Sequence, residues 1–228
     1  MTGSVGGGWP SPNHGARRGG VQPTLIVLHY TGMTTCAEAL ARLCDPAAEV
    51  SAHWLISEAG EAIALVPEHR RAWHAGAGEW GGLADVNSRS IGVELANPGD
   101  GPFPEAQMAA LERLLGEIMV RWRIPAQGVI AHSDMAPSRK GDPGPRFDWR
   151  RLALHGLAVW PEPGAPGAAR ATGDFWADLR AFGYPDVAPD ALLAAFRLRF
   201  RPWGQGPLAS ADAAVAAGLA QISASSRA

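Results

Sequence analysis

The run TLIVLHY, residues 24–30, constrains the fold more than any other stretch. It is a short, continuous apolar run rich in branched residues. A strand of that kind is buried on both faces, so it belongs in the middle of a sheet with helices packed against it. Two further strands are read at IGVELAN (91–97) and GVIAH (128–132). HWLIS (53–57) and AIALV (62–66) flank the turn EAGE and read as a hairpin. Helices fall between them. Thr35–Leu43 is one, with Thr34 or Thr35 as its N-cap. Pro104–Trp122 is a longer one, with apolar residues recurring at 108, 111, 114/115, 118/119 and 122. DWRRLALHGL (148–157) is a short third, opened by an Asp cap. Strands alternating with helices, plus a hairpin, predict an α/β fold with a mixed central β-sheet flanked by helices.

The 228 residues divide unevenly. Residues 1–22 are rich in Gly, Pro and Arg and read as an irregular surface arm. Residues 23–160 hold the α/β pattern, and 161–173 read as a Pro/Gly/Ala linker. Helical patterns at 174–182, 189–199 and 210–223 then make a small C-terminal three-helix domain over 174–228. Net charge is 20 − 22 = −2, with no basic cluster, so a nucleic-acid partner is excluded. No stretch is long and apolar enough for a membrane span. The first residues lack the apolar core of a secretory signal, which sets a cytoplasmic location as the expectation. Cys36 and Cys44 sit two helical turns, about 12 Å, apart, too far for a disulfide. Both are read as free thiols, which fits a reducing compartment. Nine tryptophans stand against two tyrosines. Most suit a core, and those in loop contexts suit a groove for a sugar or peptide.

Chemistry concentrates where strands end. His29 closes the first strand and His132 the last; Asp142 follows in RKGDPG, and Glu94 sits within IGVELAN. Either histidine alone is more often a satisfied buried imidazole than a ligand. Two histidines at strand mouths plus a carboxylate on a Pro/Gly-constrained loop are together a catalytic zinc donor set, leaving a fourth position for water. A hydrolase also needs a base and an oxyanion partner. Glu94 is the candidate base, although simple strand alternation would equally leave it facing solvent. Lys140 is the candidate cation, although a loop lysine is ordinarily just exposed. WHAGAGEWGGLADVNSRS (73–90) is a long Gly-rich loop of the kind that carries function. His74 lies in it among small residues. His53 reads as structural or pocket-lining.

Four separated motifs carry a resemblance: LIVLHYTG, SAHWLIS…GEAIALVPEHRRAWHAG, NSRSIGVELAN and VIAHSDMAPSRKGDPGPRFDW. Over about residues 10–160 the chain resembles the zinc-dependent N-acetylmuramoyl-L-alanine amidases of the type 2 amidase family. More distantly it is similar to peptidoglycan recognition proteins and phage lysozyme-type amidases. The resemblance implies Zn2+ held by His29, His132 and Asp142, with Glu94 as catalytic carboxylate and Lys140 as the oxyanion-side cation. It implies cleavage of the amide between N-acetylmuramic acid and the L-alanine of a stem peptide. Muropeptides, 1,6-anhydro forms included, are the implied substrates, in wall turnover and recycling. Arg71, His74, Asn87 and Asn97 match positions that surround substrate in relatives. The C-terminal stretch FWADLRAFGYPDVAPDALLAAFRLRFRP resembles small peptidoglycan-binding modules, with Arg197 where relatives often carry Gln. Ala52 stands where some distant relatives have tyrosine, a residue that Glu/Lys-type members do without. A monomer is expected. The alternative is a non-catalytic muropeptide-binding or sensing protein, which would have lost a ligand or the base.

Overall fold

The computed structural model describes residues 11–161 and 174–225. In chain order the strands are β1 (His14–Gly15), β2 (Leu25–Tyr30), β3 (Trp54–Ile56), β4 (Ala62–Ala64), β5 (Arg71–Ala72), β6 (Ser90–Leu95) and β7 (Val129–Ala131). The α-helices are α1 (Cys36–Cys44), α2 (Val86–Arg89), α3 (Glu105–Trp122), α4 (His132–Met135), α5 (Trp149–Leu154), α6 (Phe175–Phe182), α7 (Pro189–Phe200) and α8 (Ser210–Ser225). The main sheet has the order β4-β3-β6-β2-β7, and β1 and β5 form a separate two-stranded ladder. β2 lies inside the sheet, parallel to β6 on one side and to the edge strand β7 on the other. β3 is parallel to β6 and antiparallel to β4, so the sheet is mixed, as the alternating pattern predicts.

The two faces of β2 meet different partners, because successive side chains point to opposite sides. Ile26 and Leu28, with Ile91, Val93 and Leu95 of β6, pack against Met108, Leu111, Leu115 and Ile118 of α3. Leu25 and Val27, with Ile130 of β7, join a second cluster that includes Leu179, Leu192, Phe196, Phe200 and Leu219 from the C-terminal helices. That same face is covered near β3 by α1, through Ala39, Leu43 and Leu55. Each side chain buried in this way gains roughly 1.5–3 kcal/mol. Helix α1 starts on a capping box: Thr35 Oγ1 accepts from Glu38 N, and Glu38 Oε2 accepts from Thr35 N. Asp148 and Asp174 cap α5 and α6.

The N-terminal segment departs from a surface arm, and residues 1–10 lie outside the described residues. Ser11, Asn13 and Arg17 are buried. The guanidinium of Arg17 donates to the carbonyls of Ser88, Ser90 and Glu68, tying three buried backbone acceptors to one side chain. The hairpin strands are shorter than their apolar runs, because Ser57 turns inward to receive Gly60 N and pairs with Glu61. Cys36 and Cys44 form no disulfide and are half-buried. No helix among the described residues is long and apolar enough to cross a membrane.

Gln107 ties α3 to the sheet: its buried Nε2 donates to Ile56 O at 2.9 Å and Ala96 O at 3.0 Å. Gln107→Leu should keep the packing but strip both bonds, lowering unfolding stability by about 1–3 kcal/mol in urea denaturation.

Candidate metal centre

Parallel pairing converts three distant residues into neighbours. His29 on β2 stands beside Glu94 on β6, and Leu28 beside Ala131, so His132 follows directly on the end of β7. These are carboxyl ends of parallel strands, where α/β sheets place their ligands. His132 opens the single turn of α4 rather than continuing the strand as its apolar run suggests. The chain returns through the Lys140–Gly144 loop, and Ser133 N donates to Asp142 O at 3.0 Å, stitching that loop to the His132 turn. The result is a tight triangle. His29 Nδ1 lies 2.9 Å from His132 Nδ1 and 2.9 Å from Asp142 Oδ2, and His132 Nδ1 lies 3.1 Å from Asp142 Oδ2.

The outer hydrogen bonds decide which ring nitrogens face the triangle. His132 Nε2 is 2.9 Å from the carbonyl of Ala75, which can only accept, so the proton sits on Nε2. For His29 the decision passes through three residues. Ser90 Oγ donates to Val86 O at 2.6 Å. Its oxygen therefore accepts from His74 Nε2, 3.1 Å away. That leaves His74 Nδ1 as an acceptor for the Nε2 proton of His29, at 3.0 Å. Both Nδ1 atoms then point lone pairs at the Asp142 carboxylate and at each other. Three such acceptors in contact repel unless a cation lies among them. Their 2.9–3.1 Å spacings approach the edge of a tetrahedron built on bonds of about 2.0–2.1 Å, roughly 3.3–3.4 Å. The donor set fits a zinc ion, with outer partners fixing each ligand ring.

Burial sets the charge states. It pushes the His29 imidazole down to about 4, with His132 adding to the shift, so the ring is neutral and ready to ligate near pH 7. Burial likewise drives His74 far below the ordinary histidine range, with His29, His53 and His132 contributing. Burial alone would raise Asp142, but a proton carried on Nδ1 of the adjoining His132 or His29, in the place a metal cation would take, outweighs it and holds the carboxyl well below the usual carboxylate range. Glu94 goes the other way. Burial, reinforced by Asp142 and opposed by Lys140, lifts it to about 8. Its Oε2 is buried without a hydrogen-bond partner. A cavity of about 490 Å3 opens over these groups, lined by His29, Glu94, His132, Lys140 and Asp142 on its floor and by Arg42 and Leu43 of α1 on its wall.

Residues 19–145, more than half the chain, match the N-acetylmuramoyl-L-alanine amidase family. The chain belongs to this family. It is 36% identical over 210 residues to the N-acetylmuramoyl-L-alanine amidase AmiD of Escherichia coli K12, covering 78% of this chain and 75% of that one. It is also 36% identical over 160 residues to the 1,6-anhydro-N-acetylmuramyl-L-alanine amidase AmpD of Enterobacter cloacae, covering 63% of this chain and 86% of the relative. Among solved structures, the complex of E. coli AmiD with the substrate anhydro-N-acetylmuramic acid-L-Ala-D-γ-Glu-L-Lys superposes with a TM-score of 0.79 at 33% identity, over 91% of this chain and 92% of that chain. AmpDh3 of Pseudomonas aeruginosa in complex with anhydromuramic pentapeptide superposes with a TM-score of 0.78 at 29% identity, over 89% and 93%.

The fold brings His29, Glu94, His132, Lys140, Asp142 and His74 to one cavity. Arg71, Asn87 and Asn97 do not line it, and their polar groups are engaged elsewhere. Arg71 pairs with Asp85 at 2.9 Å, and Asn87 Oδ1 accepts from the backbone of His74 and Ala75. Asn97 closes a turn by accepting from Gly99 N at 2.7 Å. His53 is structural: Nδ1 accepts from Gly92 N and Nε2 donates to Arg70 O. Three contributors escaped the sequence reading. Arg139 donates to Ala75 O and Ala77 O, beside the carbonyl that holds His132. Ser90 ends the proton chain. Gly92 makes room for it, since a Cβ there would sit 2.4 Å from the His74 ring. The signal for Ser90 and Gly92 was the alternation Ser90-Gly92-Glu94 against Ile91-Val93-Leu95, small or polar residues on one face and branched ones on the other; Arg139 had none.

Ser90→Ala should weaken Zn2+ binding about 10- to 100-fold in chelator competition, because His29 loses the chain that fixes its tautomer. Glu94→Gln tests the burial of that carboxyl. A raised carboxyl pKa costs stability as pH climbs from the unfolded value of 4.5 through about 8. The metal-free Gln variant should therefore match wild type at the acid end of that window and exceed it above, by on the order of 1–3 kcal/mol in thermal unfolding.

Proposed function

We propose that this chain hydrolyses the amide between N-acetylmuramic acid, in its 1,6-anhydro form, and the L-alanine of a peptidoglycan stem peptide, with Zn2+ held by His29, His132 and Asp142. One observation carries the reading. Three lone-pair donors converge at about 3 Å beside an unpartnered, buried carboxyl on the floor of an open cavity. The anhydro form is suggested by the relatives, which are named for it or were solved with it. Soluble, recycled wall fragments are the substrates this implies.

A bound zinc supplies Lewis acidity at the scissile carbonyl and makes a water acidic enough to be used near pH 7. The protein's own groups do the rest. His29 and His132 turn their Nδ1 lone pairs inward because their Nε2 protons are committed outward, to His74 and to Ala75 O. Asp142 stays ionised and offsets part of the dication's charge. Glu94 brings to the cavity a buried Oε2 with no hydrogen-bond partner, so Oε2 receives the proton of the attacking water and returns it to the leaving L-alanine nitrogen. Its raised pKa puts it near neutrality, where a group can both take and give a proton; a dication in the site would pull that value down toward the working range. Lys140, which lines the same cavity, adds positive charge beside the carbonyl oxygen as it gains negative charge.

Mass spectrometry of anhydro-muropeptide incubated with the zinc-loaded protein should show free stem peptide. No release would sink the proposal, and release only from intact sacculi would redirect it to the polymeric wall. Glu94→Ala should lower turnover by about 100- to 10,000-fold while leaving muropeptide binding in place. Lys140→Ala should cost about 100-fold. Unchanged turnover in Glu94→Ala would remove the carboxyl from the mechanism.

A further inference from the structure

The His132 turn is held from the far end of the chain. Asp134 lies two residues beyond His132 and is fully buried. Its Oδ2 accepts from Ala131 N at 2.8 Å, closing the turn that carries His132. The same carboxylate is met by two side chains from the C-terminal helices: Arg199 Nη1 of α7 on Oδ2, and the hydroxyl of Tyr184, just past α6, on Oδ1. Arg199 is itself buried, both partners of the pair being fully shielded. Its Nη2 donates to Val129 O of β7 at 3.2 Å, and its guanidinium lies 4.0 Å from the Trp149 ring centre. A fork that grips both the strand before the ligand and the turn after it is a geometric device. Buried pairs of this kind are poor sources of net stability compared with apolar packing, so their merit lies in what they fix.

A second grip reaches the other side of the ligand. His132 Nε2 is held by Ala75 O, in the loop that continues to Trp80. Trp80 packs edge-on against Phe182 and Tyr184, with centroids at 5.6 and 5.2 Å, and Gly81 N donates to Gly183 O at 2.8 Å. Position 183 must be glycine for this to happen: its φ is +142°, and a Cβ would lie 2.6 Å from the Trp80 ring. The loop is also tied to the ligand turn directly, through Glu79 N to Met135 O at 2.9 Å.

We propose that the C-terminal helices are a buttress of the metal centre, with Arg199 and Tyr184 as positioning residues that set the His132 ligand through Asp134. On this view they are part of the catalytic unit, whatever glycan they also meet. The inference rests on the zinc reading above, and its test separates the two. Zn2+ affinity is measured by chelator competition on the full chain, alongside unfolding of the metal-free protein, for Tyr184→Phe, Arg199→Lys and Arg197→Met. Arg197 pairs with Asp212 within the C-terminal helices and touches nothing at the centre, so it reports loss of stability alone. Arg199→Lys keeps the charge but loses the fork, and should weaken zinc binding by about 10- to 100-fold; Tyr184→Phe should weaken it by less. Arg197→Met should leave zinc affinity at the wild-type value even where it lowers the melting temperature. Affinities within twofold of wild type in both Arg199→Lys and Tyr184→Phe would overturn the buttress. An equal loss in Arg197→Met for the same drop in melting temperature would overturn it too. If Arg199→Lys fails to fold, Tyr184→Phe decides alone. Failure of the wild-type chain to bind zinc would instead overturn the reading on which the buttress rests.

Discussion

The register between β2 and its two parallel neighbours is the constraint on which the rest depends. Aligning Leu28 with Val93 and Ala131 brings His29, Glu94 and His132 to one end of the sheet. A slip of one residue in β2 would turn His29 to the α3 face and bring Leu28 or Tyr30 to the site in its place. Both faces of β2 are packed against separate clusters, and this side-chain packing holds the strand in its register. Core packing and site geometry are therefore fixed by one set of contacts.

Burial then does opposite things to the groups so aligned. It keeps the His29 imidazole neutral, which a ligand requires, and it keeps the Glu94 carboxyl protonated beyond its usual range. The cost of hiding so many polar atoms is met by committing nearly every one. His29 ends a chain through His74 to Ser90 and Val86, and His132 ends on Ala75. Glu94 Oε2 is the exception in the cavity, and that exception is where the chemistry is placed. Space for the chain comes from Gly92, whose missing side chain admits the His74 ring.

Both ends of the described chain contribute a buried arginine that staples backbone from separate segments. Arg17 gathers the carbonyls of Glu68, Ser88 and Ser90 beneath the β5–β6 region. Arg199 gathers Asp134 and Val129 O beneath β7. A guanidinium suits the task because its fixed fork can serve several acceptors at once, which an ammonium does less well. Neither residue announces itself in the sequence. Arg17 sits in a Gly- and Arg-rich stretch that looks like a solvated arm, and Arg199 sits in a helix whose other arginine, Arg197, pairs with Asp212 of α8.

The sequence by itself determined the sheet class, the order of the elements and the residues with chemical capacity. Those signals are local: branched runs, capping residues, a Pro/Gly-bound loop after a strand, and histidines at strand mouths. The resemblance to a family rested on the same residues. Tertiary structure alone decided which of the polar residues share the cavity. Arg71, Asn87 and Asn97 look equivalent to His74 in sequence, yet each spends its polar group on an ion pair, a backbone amide or a turn. The tautomer of His29 was equally out of reach, because it is set by a hydrogen-bond chain whose members are 16 and 45 positions apart along the chain. Local sequence specifies what a residue can do; only the packed structure specifies which partner is left unmet, and at this site the unmet partner is a buried oxygen of Glu94.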